Sequence, residues 1–264
     1  MPNGSIAIAG DQLPFLRIAG LTKMFGGLSA VRNVDLEVQP HQVFGIIGPN
    51  GAGKTTMFNL ISGIYPPTAG RIVFRGEDIT NLKCHHMTRK GIARTFQALY
   101  LFSELTALEN VLVGHHSQLQ SGLLRSILHS PGVIREERVA VERARDWLTM
   151  VGLSGKENVI AGGLSYGEQI VVGIARALAS EPKLLLLDEP AGGLTYSESE
   201  KLMRLVEQIV EHGITVLLIE HRMHFLMNLA HEILVIDHGE SICQGTPEEV
   251  KRDARVIEAY LGRE

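Results

Sequence analysis

Gly48-Pro49-Asn50-Gly51-Ala52-Gly53-Lys54-Thr55-Thr56 is the stretch that decides the fold. It follows the apolar run Val43-Phe44-Gly45-Ile46-Ile47 and precedes Met57-Phe58-Asn59-Leu60-Ile61, which is patterned as a helix. The spacing is that of G-x-x-x-x-G-K-[ST], and the strand-before, helix-after flanks are what a chance glycine-rich turn would lack. Glycines at 48, 51 and 53 free the backbone to aim several N–H groups at one anion. The helix opening here adds its own unpaired N–H groups and the positive end of its dipole. Lys54 is expected to bridge the β- and γ-phosphates of a nucleotide, and the Thr55 hydroxyl to take a position on Mg²⁺.

Before the loop, Leu16, Ile18 and Leu21, then Val31, Val34, Leu36 and Val38, alternate with polar neighbours around a Gly26-Gly27 turn. After it, Arg71-Ile72-Val73-Phe74-Arg75-Gly76 reads as another strand, so the two sides are expected to share one antiparallel layer. From 98 to 163 the pattern turns helical and polar, with amphipathic segments at Glu104–His115, Ser121–His129 and Glu136–Val151. In the last of these, Val141, Ala144, Leu148 and Val151 fall on one face beside Trp147. Then Leu184-Leu185-Leu186-Leu187, Ile214–Ile219 and Ile233–Ile236 are continuous apolar runs of strand length, as parallel strands covered on both faces require. Ile170–Leu178 is apolar nearly all round, a buried helix, and Glu198–Glu211 is a helix presenting Leu202, Leu205, Val206 and Ile209. Thr246-Pro247-Glu248-Glu249 is a capping box that opens a C-terminal helix through Leu261. The expected organisation is a loose tail over 1–12 and one unit over 13–264. Within that unit, 13–97 hold the β layer and the phosphate-loop part of the core, 98–163 a helical insertion, and 164–264 the rest of the core.

The 264 residues suffice for a large core. With 45% hydrophobic and 20% charged residues the chain has an ordinary globular composition. No apolar stretch reaches the roughly 18–20 residues that span a bilayer, and the N-terminus lacks the basic and apolar regions of a secretion signal. Cys84 and Cys243 form no C-x-x-C pair, which suits a reducing compartment. The net charge of −4, without a long basic run, argues against nucleic acid as a partner.

Beyond the loop, Asp188-Glu189 follows the leucine run, at the C-terminal end of a buried strand where open α/β sheets bind ligands. Asp188 is expected to hold Mg²⁺ through water and Glu189 to act as general base on the attacking water. Gln97, where the β layer hands over to the helical insertion, could ligate Mg²⁺ or position water. His221 sits at another strand end; with His224 it has an i, i+3 spacing, but no third ligand accompanies them. Cys84-His85-His86 and His115-His116 read as solvated. Leu164-Ser165-Tyr166-Gly167-Glu168-Gln169 precedes the buried helix and supplies a second anion site, one more than a single nucleotide needs. Gly163-Leu164-Ser165-Tyr166-Gly167 also spells the G-x-S-x-G of a serine hydrolase, with Asp188 and His221 following in the matching order. That alternative leaves the phosphate loop and Glu189 without work. A GTPase lacks its N-K-x-D motif here.

These motifs, in this order over residues 13–263, make the chain resemble the ATP-binding subunit of an ABC transporter. Gly48–Thr56 resembles the Walker A loop, Gln97 the Q-loop and Leu164–Gln169 the family signature. Leu184–Glu189 resembles the Walker B strand, His221 the switch histidine, and Phe25 the aromatic that stacks on adenine. The resemblance implies a P-loop α/β core with an antiparallel β subdomain and an inserted helical subdomain, hydrolysing ATP with Mg²⁺. It implies nucleotide contacts from Gly48, Pro49, Asn50, Gly51, Ala52, Gly53, Lys54, Thr55 and Thr56, and from Ser165, Gly167 and Glu168 of a second ATPase subunit packed head to tail. It assigns metal contacts to Thr55, Gln97 and Asp188, and catalysis to Glu189, His221, Gln97 and Lys54.

Two departures stand out: Leu-Ser-Tyr-Gly-Glu in place of Leu-Ser-Gly-Gly-Gln, and Thr195 where most members carry aspartate. The first, together with Pro190–Leu194, Ile219-Glu220-His221 and the ending Val256–Gly262, is similar to the subgroup serving importers of branched-chain and other hydrophobic amino acids. Implied partners are two membrane-spanning permease subunits and, through them, a solute-binding protein, with the chain lying peripherally on the cytoplasmic face of the membrane. A soluble ABC-type switch is the alternative; it would be expected to carry a long coiled coil, tandem units or a basic surface.

Overall fold

Alternating apolar residues pair Leu16–Phe25 (β1) with Leu28–Val38 (β2) as an antiparallel hairpin, with Phe25 opposite Leu28 across the Gly26-Gly27 turn. The structure, a computed structural model, describes residues 14–95, 101–115 and 131–261. Val43–Ile47 (β3) leads through the glycine-rich loop into Lys54–Ile61 (α1). Ala69–Phe74 (β4), Glu77–Asp78 (β5), Cys84–Lys90 (α2) and Ile92–Arg94 (β6) follow. Two helices come next, Ala107–His115 (α3) and Pro131–Met150 (α4). The return to α/β alternation comprises Tyr166–Leu178 (α5), Leu184–Asp188 (β7), Tyr196–Glu211 (α6), Thr215–Ile219 (β8), Met223–Leu229 (α7) and Glu232–Asp237 (β9). Glu240–Gly245 (β10), Pro247–Arg252 (α8) and Ala254–Leu261 (α9) end it.

Two sheets result. The first runs β2-β1-β4-β5, so strands from both sides of the phosphate loop do form one antiparallel layer. The second runs β10-β9-β3-β8-β7-β6, parallel apart from β10 at its edge. Every residue of β3, β7 and β8 is buried, and the strand period of two divides them between two cores. Leu185, Leu187, Val216 and Leu218 pack with α3 to α7, whereas Leu184, Leu186, Leu217 and Ile219 pack with α1 and the antiparallel sheet. Continuous apolar runs are therefore required, since either face left polar would bury an unpaired group. In register, Asp188 lies beside Ile219 and Ile47 beside Val235, so the chain leaves β3, β7, β8 and β9 at one edge of the sheet. That edge is where ligands bind in open parallel sheets.

The helices between the sheets' strands show three differences from the sequence reading. α3 starts at Ala107, not Glu104, because Thr106 and Glu109 form reciprocal cap bonds: the Glu109 N–H donates to Thr106 Oγ1 at 3.2 Å and the Thr106 N–H to Glu109 Oε2 at 2.7 Å. α4 begins at Pro131 rather than Glu136 and buries Ala140, Ala144 and Leu148, with Val141 only half-buried. The segment Ser121–His129 lies outside the described residues. Finally, the C-terminal helix is two helices. The Asp253 carboxylate accepts from the Arg255 N–H at 2.8 Å and from its guanidinium, so the chain restarts as a new helix after Arg252. Among the described residues no helix is long and apolar enough to cross a membrane.

Candidate functional site

The phosphate loop is held open by backbone contacts that only glycine permits. Gly53 caps α1 at φ 104°, and a Cβ there would lie 2.3 Å from the Ala30 carbonyl oxygen. At Gly48 a Cβ would meet the Ile236 carbonyl at 2.0 Å. Over the loop curls Lys54, whose ammonium donates to the carbonyls of Gly48 at 2.7 Å and Pro49 at 2.9 Å. Burial pushes the Lys54 pKa below its ordinary value, and the nearby charges of Glu189 and Asp188 push back up. Residues 50–56, Glu189 and His238 line a cleft of about 310 Å³ together with Leu28, Ser29 and Ala30 from β2. Several N–H groups, a lysine and a carboxylate thus face one space of a size for phosphates.

Glu189 follows β7 at φ 49°, a region that non-glycine residues seldom occupy. Its N–H donates to the Ile219 carbonyl at 2.9 Å, which ties the turn to β8. His221 Nδ1 lies 3.6 Å from Glu189 Oε2. Asp188, 3% exposed, accepts from Arg94 Nη2 at 2.8 Å through Oδ2, while its Oδ1 is buried with no hydrogen-bond partner. Buried carboxylate oxygens are seldom left so, and a cation or its bound water is the kind of group that satisfies one. Thr55 and Glu189 line the cleft and Asp188 directly precedes Glu189, so Thr55 and the unpartnered Asp188 oxygen are the groups that fit a metal.

Glu220 is a residue that the motifs gave no task. It is fully buried: Oε1 accepts from the Ala191 N–H at 2.8 Å, and Oε2 from the N–H groups of His221 at 3.1 Å and Arg222 at 3.2 Å. Burial pushes its pKa up against those three donors. The carboxylate therefore fixes the turn after β7 relative to His221. Glu220→Ala should lower stability by about 2–4 kcal/mol, because three buried donors lose their acceptor. Urea unfolding measures this, and an unchanged midpoint would show that the turn does not depend on Glu220. Arg222 adds to the same clamp, donating to Ser199 Oγ at 2.8 Å and to the carbonyls of Ala191 and Leu194.

The second anion site lies elsewhere. Ser165 caps α5: its hydroxyl oxygen accepts from the Glu168 N–H at 3.4 Å, and Glu168 Oε2 accepts from the Ser165 N–H at 3.0 Å. A bond from Lys156 and the cap bonds hold the Glu168 carboxyl below the usual range. Ser165, Gly167 and Glu168 line a groove of about 440 Å³ against Glu198 and Lys201 of α6, and are not among the residues lining the phosphate-loop cleft. Both departures from the signature pattern have local partners. A Cβ on Gly193 would sit 3.0 Å from the Tyr166 ring, so that ring rests on the 191–194 turn, and Thr195 caps α6 in a box with Glu198.

The serine-hydrolase arrangement is not assembled. Ser165 bonds Glu168, Asp188 bonds Arg94, and His221 faces Glu189. Asn158–Ala161 forms only a single bridge, Thr106 to Ile160, followed by a short 3₁₀ turn, not a strand feeding a nucleophile elbow. Phe25, 43% exposed, lies edge-on to Tyr65 with ring centres 5.5 Å apart, beside but not lining the phosphate-loop cleft. Gln97 falls outside the described residues. His238 was missed by the sequence reading although it directly follows β9, the parallel neighbour of β3; the Asp237-His238-Gly239 turn was the available signal.

Residues 31–192 match the family described as ABC transporter, and residues 240–264 that described as branched-chain amino acid ATP-binding cassette transporter. The chain is 46% identical over 250 residues to the high-affinity branched-chain amino acid transport ATP-binding protein BraF of Pseudomonas aeruginosa, covering 94% of this chain and 98% of that one. To the protein of the same description, LivG, of Escherichia coli it is 43% identical with the same coverage. Among solved structures it is similar to MJ1267, an ATP-binding cassette of an ABC transporter, in its ADP conformation. There the TM-score is 0.84 at 34% identity, over 96% of this chain and 100% of that one. It is also similar to the dimeric cassette MJ0796 bound to ADP and Pi, with TM-score 0.74 at 29% identity over 88% and 98%. These relatives favour neither a hydrolase nor a switch outside transport. Taken with the phosphate-loop cleft and the carboxylate of Glu189 that lines it, they show that the chain belongs to the ABC transporter ATP-binding family and is a nucleotide-binding ATPase subunit with the P-loop NTPase fold.

Proposed function

We propose that this ATPase drives uptake of branched-chain or related hydrophobic amino acids, working as one of two subunits packed head to tail under two permease subunits at the cytoplasmic face of the membrane. A solute-binding protein would deliver cargo to the permeases. The relatives named for branched-chain amino acid transport support the cargo class, and the dimeric cassette MJ0796 supports the pairing.

One observation carries the paired reading: the serine-capped helix opens on a different groove from the phosphate loop, so one chain offers two half-sites that face separate spaces. In the pair, residues 48–56 cradle the phosphates of ATP from one side, with Lys54 on the β- and γ-groups and Phe25 against the base. Ser165, Gly167 and Glu168 of the partner close the other side. Thr55, Asp188 and Gln97 would hold Mg²⁺, which would supply charge neutralisation to the phosphates. Glu189 takes the proton of the attacking water, and His221 steadies it from 3.6 Å. An anion shared by two helix ends favours the closed pair, and its loss after hydrolysis removes that preference. The helices α3 and α4, which follow Gln97 in the chain, pass the motion to the permeases.

Ser165→Arg tests the pairing. It should leave ATP binding by the single chain within about twofold and weaken ATP-dependent self-association by at least tenfold, through bulk and loss of the cap oxygen. Sedimentation with and without Mg-ATP measures it; equal association of the variant and the wild type would count against the composite site.

A further inference from the structure

Arg94 ends β6, and no motif assigns it a task. Its side chain is 7% exposed and its guanidinium holds three residues on two elements at once. Nη2 donates to Asp188 Oδ2 at 2.8 Å, and Nη1 donates to Asn59 Oδ1 at 2.7 Å and Ser62 Oγ at 3.1 Å. Asn59 lies on α1 and Ser62 caps its end, so two of the acceptors belong to the helix that the phosphate loop begins. Ser62 donates its own proton to the Phe58 carbonyl at 2.6 Å, which leaves its lone pairs for Arg94. The Phe58 ring lies 5.5 Å from Cζ and covers the guanidinium. A planar fork fixed at this many points cannot turn without abandoning a buried acceptor. Asp188 is thereby gripped by one oxygen, and its other oxygen is buried without a donor.

We infer that Arg94 is a positioning residue that decides how Asp188 meets the metal: it occupies Oδ2, leaves Oδ1 as the single oxygen for the cation or its water, and so makes the site discriminate between Mg²⁺ and Ca²⁺. This rests on the reading of Asp188 as a metal-holding residue. Mg²⁺ keeps several waters and accepts one carboxylate oxygen in near-octahedral geometry, whereas Ca²⁺ takes more ligands and readily uses a carboxylate through both oxygens. A carboxylate whose Oδ2 is bonded to a fixed guanidinium cannot rotate freely to turn both oxygens toward one cation, so the bidentate mode is disfavoured. Partners that orient a metal-holding carboxylate in this way typically carry a 10–100-fold share of metal affinity. The competing view is that the buried ion pair serves folding alone; breaking it would then lower stability and leave the metal preference where it was.

The test uses the full chain, ADP, and Mg²⁺, Ca²⁺ or EDTA, with ADP affinity read by calorimetry. In the wild type Mg²⁺ should tighten ADP more than Ca²⁺ does. In Arg94→Met the Mg²⁺-dependent gain should fall by about 10–100-fold and the Mg²⁺/Ca²⁺ ratio should approach one, with ADP binding in EDTA unchanged. Arg94→Lys keeps the buried charge and therefore the fold, but a single ammonium cannot hold Asn59, Ser62 and Asp188 in one plane, so its Mg²⁺/Ca²⁺ ratio should fall as well. A wild-type ratio in Arg94→Lys, or in folded Arg94→Met, overturns the inference while leaving Asp188 as the metal-holding residue. No metal dependence in the wild type itself overturns the reading of Asp188 and this inference with it.

Discussion

Replacing Glu189 by glutamine is expected to lower ATP turnover by about 10²–10⁴-fold while ATP still binds. Glutamine matches the size of glutamate and can take the same backbone position, φ 49° with its N–H on the Ile219 carbonyl, so the turn should persist. What it lacks is an oxygen basic enough to take a proton from water. His221, 3.6 Å away, would then face an amide instead of a carboxylate. Phosphate release measures turnover, and a nucleotide titration checks binding. Because bound ATP is no longer consumed, the variant should also accumulate as an ATP-bound pair. Turnover equal to the wild type would remove Glu189 as the base.

Lys54→Met should cost about 10²–10³-fold in turnover if, as proposed, the residue donates to the transferring phosphate. Methionine keeps the buried stem packed but leaves the carbonyls of Gly48 and Pro49 without the ammonium that now bonds them. The lysine also predicts a pH signature. Burial holds its pKa below the ordinary value in the nucleotide-free fold, and phosphate charge would raise it, so binding takes up a proton between those two limits. Affinity for nucleotide should therefore fall as the pH rises through that window, beginning below the ordinary lysine range, and Lys54→Met should lose the dependence. A calorimetric titration in two buffers of different ionisation heat reads the proton uptake. The same alkaline loss of affinity in the variant would assign it to another group.

The legible parts of this chain were those written locally. The phosphate loop, the four leucines before Asp188 and the capping box at Thr246 depend on neighbours in sequence, and spacing alone predicts their structure. The residues that went unread act across the sheet. Arg94 matters because β6 lies parallel to β7, Glu220 because it reaches back to Ala191, and His238 because β9 lies beside β3. None of those neighbours can be deduced from the spacing of a motif, since a parallel sheet brings together segments far apart in the chain. The C-terminal helix was misread for a local reason: Asp253 looked like one more polar position, yet its bonds to Arg255 make it a restart. Thr195 was read as a missing aspartate, whereas it is a sound cap for α6.

The central claim is that a working site takes Lys54 from one chain and Ser165 from another. Mixing two inactive variants, Lys54→Met and Ser165→Arg, tests it most directly, with ATP hydrolysis as the readout. In a head-to-tail mixed pair one site carries both defects and the other carries none, so turnover should return, to about a quarter of the wild-type rate if pairing is random and each intact site works alone. Should Ser165→Arg alone hydrolyse ATP at the wild-type rate, or the mixture of two inactive variants regain no turnover, the account of a site shared between two chains would be wrong.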